Sequence, residues 1–129
     1  MFIAEVSETF GISQDTLRYY ERIGLIPHVT RNKSGIRDYT EHDCKWVEFI
    51  KCMRNAGLPI EVLIEYVALF QQGSETVAAR KELLIEQRKQ LKAKMDDMQK
   101  TLDRLDYKIA TYEQGIAAAE KNLNIPEDI

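Results

Sequence analysis

The stretch TLRYYERIGLI, residues 16 to 26, places an arginine beside two tyrosines and ends with a glycine before two apolar residues. Ser13 precedes it, and a serine there can cap a helix by accepting a hydrogen bond from an unpaired backbone amide. Gly24 suits the left-handed conformation that closes a helix. Helical spacing gives an inward face of Leu17, Tyr20 and Ile23 and an opposite face of Gln14, Arg18, Tyr19 and Arg22. The stretch therefore predicts a short helix that exposes two arginines and a tyrosine.

Another short helix precedes this one, because Ile3, Val6 and Phe10 recur at helical spacing and Gly11 stops the pattern. Two short helices joined across GIS (residues 11–13) are typical of a helix-turn-helix unit whose second helix reads DNA. Arginines on that helix can bind phosphate oxygens, and a tyrosine hydroxyl can donate to the backbone or to a base edge. The alternative is an ordinary solvated helix face.

The segment HVTRNKSGIRDYT, residues 28–40, predicts a β-hairpin. β-Branched and aromatic residues flank NKSG, where Gly35 supplies a positive φ. Arg31, Lys33 and Arg37 are not accompanied by any acid between residues 28 and 37. A basic hairpin after a helix-turn-helix is placed to act as a wing along the DNA backbone. The formal net charge of -3 argues against a general basic coat, but phosphate contact depends on local charge.

The rest of the chain predicts three more helices. Thr40 and Asp43 form a capping box that opens a third helix, Gly57 ends it, and Pro59 starts a fourth that continues to about Phe70. From Ser74 onward, apolar residues are separated by alternating threes and fours, apart from one skipped step at Arg88. These residues are Leu84, Leu91, Met95, Met98, Leu102, Leu105, Ile109, Tyr112, Ile116, Ala119 and Leu123. The pattern is the seam of a coiled coil, and it must pair with another chain. We expect the helix to continue through Gly115, which weakens its last turns.

Three motifs together resemble one known family. EVSETFGISQDTLRYYERIGLI (residues 5–26), SGIRDY (34–39) and RNAGLPIEVLIEY (54–66) are similar to the N-terminal domain of MerR-family transcription regulators. The resemblance runs from about Ile3 to Phe70, and the long helix matches the family's dimerisation element. It implies a mainly α fold: a winged helix-turn-helix domain over residues 1–72, with the helix-turn-helix at about 3–23 and a small β-hairpin wing at about 28–39. A coiled-coil dimerisation helix and a short tail follow over residues 73–129.

The resemblance also implies DNA contacts and partners. The implied operator contacts are Arg18, Tyr19, Tyr20, Arg37 and Tyr39, and Arg54 belongs to a second wing that reaches the backbone. Packing is the alternative role for Tyr20 and Tyr39. We add Ser13 and Thr16 at the start of the reading helix, and Arg31 and Lys33 in the wing. The implied partners are double-stranded promoter DNA, RNA polymerase and a second copy of the chain. The copies would pair as an antiparallel coiled coil through Leu91, Met95, Met98, Leu102, Leu105, Ile109, Tyr112 and Ile116.

The two cysteines suggest how such a regulator would be switched. Cys52 in FIKCMRNAGLPI (residues 49–60) resembles the lone cysteine of the NmlR-like or AdhR-like subgroup, which is associated with aldehydes, electrophiles and thiol oxidants. The alternative is a small buried hydrophobic residue. We expect Cys52 to pack beside Phe49, Met53 and Leu58, so that an adduct would overpack the core. Cys44, in the first turn of its helix, gains thiolate character from the helix dipole.

Other classes of protein find little support. His28, His42 and the two cysteines have no recognised ligand spacing, so we expect no metal, no iron–sulfur cluster and no other cofactor. No clustered carboxylates, phosphate loop or nucleophile elbow point to an enzyme. The chain has no membrane-spanning apolar run and no secretory signal pattern, which predicts a cytoplasmic protein. The alternatives that stay open are a MerR-type regulator with a different or no effector, and a coiled-coil module that binds another protein.

Overall fold

A computed structural model describes residues 1–115, whose regular structure consists of helices. They are α1 (Ile3–Phe10), α2 (Gln14–Ile23), α3 (Glu41–Asn55), α4 (Ile60–Gln71) and α5 (Val77–Glu113), with a 3-10 turn over Ser74–Thr76. The chain divides into two compact units, residues 1–87 and the residues from 88 onward, and α5 contributes to both. This division lies later in the chain than the predicted domain boundary at 72/73.

The predicted helix-turn-helix is confirmed in α1 and α2. Gly11 ends α1 in the left-handed conformation, at φ 65°, and its N–H donates to the carbonyl of Ser7. Ser13 caps α2, since its Oγ accepts from the N–H of Thr16 at 3.1 Å. Gly24 ends α2 at φ 82°, where a β carbon would meet only an ordinary contact at 3.9 Å. The positive φ is therefore what requires glycine there.

One apolar core holds the first unit together. Its buried members are Val6, Ile12, Leu17, Leu25, Ile26, Val29, Tyr39, Trp46, Val47, Ile50, Leu58, Leu63 and Val67. Tyr20 and Ile23 are partly buried against this core, which confirms the predicted inward face of α2. Burying one such aliphatic side chain contributes about 1.5–3 kcal/mol, so the packing of α1 to α4 rests on this core rather than on helix propensity.

The wing segment is a tight loop, and the predicted two-stranded hairpin is not confirmed. Arg31 and Arg37 form an isolated antiparallel bridge, and no strand occurs among residues 1–115. Gly35 does adopt the expected positive φ, at 77°. Backbone bonds cross the loop from the Asp38 N–H to the Thr30 carbonyl at 2.7 Å and from the Asn32 N–H to the Ile36 carbonyl at 2.9 Å. The amides of Val29 and Thr30 donate instead to side chains outside the loop. The N–H of Val29 donates to Glu21 at 2.9 Å, and the N–H of Thr30 donates to Asp43 at 3.2 Å.

The capping box at the start of α3 is confirmed. Thr40 Oγ1 accepts from the N–H of Asp43 at 3.1 Å, and the Asp43 carboxylate accepts from the N–H of Thr40 at 3.0 Å. Gly57, at φ 88°, follows the end of α3, and Pro59 is the N-cap of α4. Both punctuating residues lie where the sequence predicts them.

The long helix ends earlier than expected. Its last residue is Glu113, and Gly115 adopts φ 93°, so the prediction that the helix passes unbroken through Gly115 is wrong. A left-handed residue cannot continue a right-handed helix, and glycine adopts it without steric cost. Ile116, and the further seam positions Ala119 and Leu123, lie outside the described residues.

Candidate nucleic-acid interface

The outward face of α2 is exposed, as its helical spacing predicts. Gln14, Arg18, Tyr19 and Arg22 are all exposed. The Arg18 guanidinium donates to Asp15 at 3.1 Å and to Gln14 at 3.4 Å. The Arg22 guanidinium lies 5.4 Å from the centroid of the Tyr19 ring, a cation–π distance. Both arginines are thus partly ordered but stay accessible to an anion.

Ser13 and Thr16, both predicted DNA contacts, are occupied by the helix cap. Besides accepting from the Thr16 amide, the Ser13 hydroxyl is 2.8 Å from Oγ1 of Thr16. Ser13 is exposed and Thr16 is half-buried. The observed role of this pair is to start α2 at a fixed residue, and its DNA contact stays a prediction.

The wing carries its three basic residues at different depths. Lys33 is exposed. The Arg31 side chain is 45% exposed, and its Nη1 donates to the carbonyl of Gly35 at 3.0 Å, which closes the loop. The Arg37 side chain is only 25% exposed. The Asn32 side chain accepts from the N–H of Ile36 at 3.1 Å and stabilises the turn. The loop is therefore held by its own hydrogen bonds rather than by a sheet.

Glu21 is a central residue of this surface and was not among the predicted site residues. Its side chain is 5% exposed, and its carboxylate accepts from Nε of Arg37 at 2.7 Å. Arg31 Nη2 lies 3.8 Å away, and Nδ1 of His28 lies 3.6 Å away. Burial alone would raise the pKa of Glu21, but the hydrogen bonds from Arg37 and the Val29 amide, with the charges of Arg37 and Arg31, lower it from its ordinary value of 4.5. The carboxylate is therefore ionised at neutral pH.

A second buried carboxylate holds the base of the wing from the other side. Asp43, 8% exposed, accepts from the N–H of Thr30 as well as completing the Thr40 cap. Burial would raise its pKa, but these hydrogen bonds outweigh it and the pKa lies below its ordinary value of 3.8. Neighbouring amides of the wing are thus fixed to α2 by Glu21 and to α3 by Asp43.

These elements enclose a basic cleft of about 360 Å³ on the first unit. It is lined by Arg18, Glu21, Arg22, His28, Arg31 and Arg37. The sequence predicts the two groups of arginines separately, on α2 and on the wing. The fold brings them together around one carboxylate. Four guanidinium groups at one cleft provide the planar, forked donors that bind phosphate oxygens well.

The predicted contact of Tyr39 with DNA is contradicted by its position. Tyr39 is 2% exposed, and its N–H donates to the carbonyl of Met1 at 2.7 Å. Its buried hydroxyl has no hydrogen-bond partner among the described residues. Tyr20 is half-buried on the inward face of α2. Both tyrosines therefore pack in or against the core, which is the alternative role that the sequence left open for them.

Arg54, the predicted second-wing contact, makes a hydrogen bond within the chain at the end of α3. Its Nη1 donates to the carbonyl of Leu58, and the residue is half-buried. Lys51, one turn earlier, donates from Nζ to the carbonyl of Phe10 at the end of α1. Both cations tie α3 to neighbouring segments, and a contact of Arg54 with DNA stays a prediction.

The two cysteines have environments opposite to those expected. Cys52 is exposed, so the expectation that it packs beside Phe49, Met53 and Leu58 is wrong. It lies two residues from the buried Ile50 and five from the buried Val47, and that helical spacing points it away from the core. Cys44 is half-buried, and burial raises the pKa of its thiol. The expected thiolate character of Cys44 is therefore wrong as well.

The predicted seam of α5 is largely exposed in the single chain. Leu91 is half-buried, and the next six positions are more exposed: Met95 61%, Met98 71%, Leu102 51%, Leu105 56%, Ile109 56% and Tyr112 45%. The predicted seam has no apolar residue between Leu84 and Leu91, with the skipped step at Arg88. In this gap Gln87, next to Arg88, is buried at 9% exposure. An apolar stripe of this length on one helix is unusual on a monomer's surface.

Two further features of the described residues concern metal binding and membranes. Residues 1–115 hold no group of three or more His, Cys, Asp or Glu side chains that could hold a metal ion. No helix in this part of the chain is both long and apolar enough to cross a membrane.

A helix-turn-helix with an arginine-lined cleft between its second helix and a basic loop defines a DNA-binding protein. Comparison with known proteins supports this class and narrows it. The family profile described as MerR HTH family regulatory protein matches residues 1–69, and the profile described as MerR, DNA binding matches residues 45–107. The chain belongs to the MerR family of DNA-binding transcriptional regulators, and not to a family of enzymes.

Individual relatives agree with this assignment. The chain is 63% identical over 91 residues to the transcriptional regulator AdhR of Bacillus subtilis, a match that covers 70% of this chain and 65% of AdhR. Among solved structures, a MerR-family protein from Listeria monocytogenes is 51% identical, with a TM-score of 0.88 and coverage of 95% of this chain and 93% of that one. HiNmlR, a family member solved bound to promoter DNA, is 32% identical with a TM-score of 0.80, over 90% of this chain and 92% of HiNmlR. The NmlR-like or AdhR-like resemblance is therefore confirmed.

Proposed function

We propose that the protein is a homodimeric regulator that binds palindromic promoter DNA and responds to aldehyde, electrophile or thiol-oxidant stress through Cys52. The observation that supports a thiol-based stress signal is that Cys52 is exposed in a chain 63% identical to AdhR over 91 residues. The subgroup that the sequence around Cys52 resembles is associated with these stresses. The site of action would be the cytoplasm, where promoter DNA is found.

In this proposal α2 reads the major groove and the wing binds the adjacent backbone. Arg18 and Tyr19 lie on the exposed face that would enter the groove. Arg31, Lys33 and Arg37 would contact phosphates, which fix the register of the protein on the duplex. HiNmlR, at 32% identity, binds promoter DNA, and this supports the same use of the matching elements here.

The second half of the proposal is a dimer through α5. The exposed seam from Met95 to Tyr112 would be covered by the same seam of a second copy, and the family resemblance favours the antiparallel arrangement. Two reading helices held at a fixed distance match two half-sites of a palindrome. The family resemblance implies activation by bending and undertwisting an overlong promoter spacer for RNA polymerase. A bend of this kind costs about 1–6 kcal/mol, which the wing contacts would offset.

The signal would begin with covalent chemistry at Cys52. Its thiolate would add to an electrophile, or be oxidised to a sulfenic acid that condenses with another thiol. Because the side chain lies on the surface of α3, the added group would not overpack the core. The neighbouring residues Lys51 and Arg54 tie α3 to α1 and to the α3–α4 turn. An adduct between these anchors would shift the orientation of the DNA-binding elements.

The test compares Cys52→Ser with Cys44→Ser, a matched control on the same helix with a half-buried thiol. Mass spectrometry after exposure to formaldehyde or diamide should find the modification on Cys52 in the Cys44→Ser protein. A promoter–reporter strain should lose induction with Cys52→Ser and keep it with Cys44→Ser. Both variants should still bind the operator.

Full induction with Cys52→Ser would contradict the thiol signal and leave a MerR-type regulator with a different or no effector. Failure of the wild-type protein to prefer any promoter duplex at low salt would contradict DNA reading itself. That result would favour a coiled-coil interaction module.

A further inference from the structure

The acidic residue at the centre of the basic cleft raises a question of its own. Glu21 lies among Arg18, Arg22, Arg31 and Arg37, on the surface that the proposed function assigns to DNA. A carboxylate there repels phosphate, and a surface selected only for charge would lack it. We infer that Glu21 is a positioning residue for DNA binding: it fixes Arg37 and the wing against α2, so that the arginine meets a backbone phosphate already oriented. This inference rests on the proposed DNA-binding function.

The geometry around Arg37 supports the inference first. The Arg37 Nε donates to Oε1 of Glu21 at 2.7 Å. Among the described residues the Arg37 guanidinium makes no other hydrogen bond. A guanidinium carries five N–H donors in a rigid plane. Holding it through Nε leaves the donors of its two terminal nitrogens for an external acceptor. The Arg37 side chain is 25% exposed and lines the cleft, so part of it is accessible from solvent.

The order imposed by Glu21 has a thermodynamic consequence. A free arginine loses substantial rotamer freedom when it binds a phosphate, and a prepositioned one has lost that freedom on folding. Glu21 is itself held in place, because its side chain is 5% exposed and its other oxygen accepts from the Val29 amide at 2.9 Å. One carboxylate therefore fixes both the root of the wing and the side chain that the wing presents.

The repulsion that Glu21 exerts on DNA is reduced by the same contacts. Arg37 compensates its charge at hydrogen-bond distance, and Arg31 lies 3.8 Å away. Arg18 and Arg22 remain at the rim of the cleft, on the exposed face of α2. The cleft keeps its positive sign while one of its arginines is held in a single orientation.

Glutamine keeps one acceptor oxygen where the Glu21 carboxylate offers one to Arg37 Nε and another to the Val29 amide, so Glu21→Gln cannot hold both groups. The variant separates positioning from charge, because the two predict opposite results. The variant removes one negative charge, so charge alone predicts tighter binding to every duplex. Loss of positioning predicts an operator Kd raised about 5- to 100-fold, a salt slope smaller by about one phosphate contact, and unchanged or tighter binding to a random duplex. Fluorescence anisotropy over a salt series measures all three. Glu82→Gln, an exposed carboxylate on α5, is the matched control and should change none of them.

A double-mutant cycle tests whether Glu21 acts through Arg37. Adding Glu21→Gln to Arg37→Gln should cause little further loss of operator affinity. Fully additive losses, or operator binding by Glu21→Gln as tight as wild type with an unchanged salt slope, would overturn the inference. If Glu21→Gln does not fold, Arg37→Lys asks the same question, since lysine keeps the charge but not the Nε bond or the fork. Arg37→Lys should lose operator affinity nearly as Arg37→Gln does, and full affinity would refute positioning.

The wild-type arm keeps the two proposals distinct. A wild-type protein that shows no preference for any operator contradicts the proposed function. A wild-type protein that prefers its operator, with Glu21→Gln indistinguishable from it, contradicts the positioning role of Glu21 and leaves DNA binding intact.

Discussion

Replacing Leu105 by glutamate should dissociate the proposed dimer. Leu105 lies within the apolar stripe of α5 and is 56% exposed in the single chain, so a large part of its side chain is free to be covered by a second copy. A glutamate at this position would place a carboxylate in an apolar interface. In a twofold dimer each substitution enters the interface twice.

The expected size follows from that exposure. Covering about half of a leucine contributes roughly 1 kcal/mol per copy, given about 1.5–3 kcal/mol for complete burial. Burying an unpaired carboxylate adds a penalty of up to several kcal/mol per ion. With a penalty of about 1 kcal/mol or more for each buried carboxylate, two copies together lose about 4 kcal/mol or more, which raises the dissociation constant about a thousandfold or more.

Sedimentation velocity over a concentration series measures this constant. Tyr107→Glu is the matched control, because Tyr107 is 62% exposed on the same helix but lies off the seam spacing. We expect Leu105→Glu to sediment as a monomer or to unfold, and Tyr107→Glu to remain a dimer. Leu105→Glu that still dimerises, or equal dissociation by both variants, would refute the assigned seam.

Three further predictions concern stability and the first unit. The lowered pKa values of Glu21 and Asp43 mean that their stabilising contribution is complete above the ordinary values of 4.5 and 3.8 and is lost as pH falls through the lower folded-state values. The urea concentration at the unfolding midpoint should therefore decrease when the pH is lowered below about 4.5. A midpoint that rises on acidification would contradict the two carboxylate networks. Tyr39→Phe removes a buried hydroxyl without a partner, so the free energy of unfolding should stay equal or rise by about 1 kcal/mol. Its operator affinity should be unchanged, and weaker binding would restore Tyr39 as a DNA contact. Ser13→Ala removes the cap of α2 and should cost about 1 kcal/mol, whereas an unchanged thermal midpoint would argue against the cap.

Local signals made the helix-turn-helix predictable. The Ser13 cap, the Gly24 stop and the spacing of Leu17 each act within one or two helical turns, and the structure has all three. The end of α5 was misjudged because glycine is compatible both with a weakened helix and with a left-handed stop. Gly115 adopts φ 93°, and no local sequence pattern distinguishes the two outcomes.

The candidate site was less predictable, because tertiary contacts assemble it. Glu21 and Arg37 are 16 residues apart in the chain, and no short-range rule pairs them. A signal was nevertheless present: Glu21 follows Leu17 by four residues, on the inward face, and the wing's basic run contains no acid. The exposure of Cys52 could likewise have been inferred from its offset to Val47 and Ile50. The resemblance identified the residue but not the direction in which it points.

The most direct test of the central claim is selection of duplexes from a random-sequence library by the purified wild-type protein. A dimer with two reading helices should enrich an inverted repeat with one fixed spacing between its half-sites. Binding to that sequence should weaken steeply with salt, as phosphate contacts require. Enrichment of a palindrome that the Leu105→Glu protein no longer binds would support the account. No enriched sequence at any salt concentration, or binding that is equally tight to all duplexes, would contradict it.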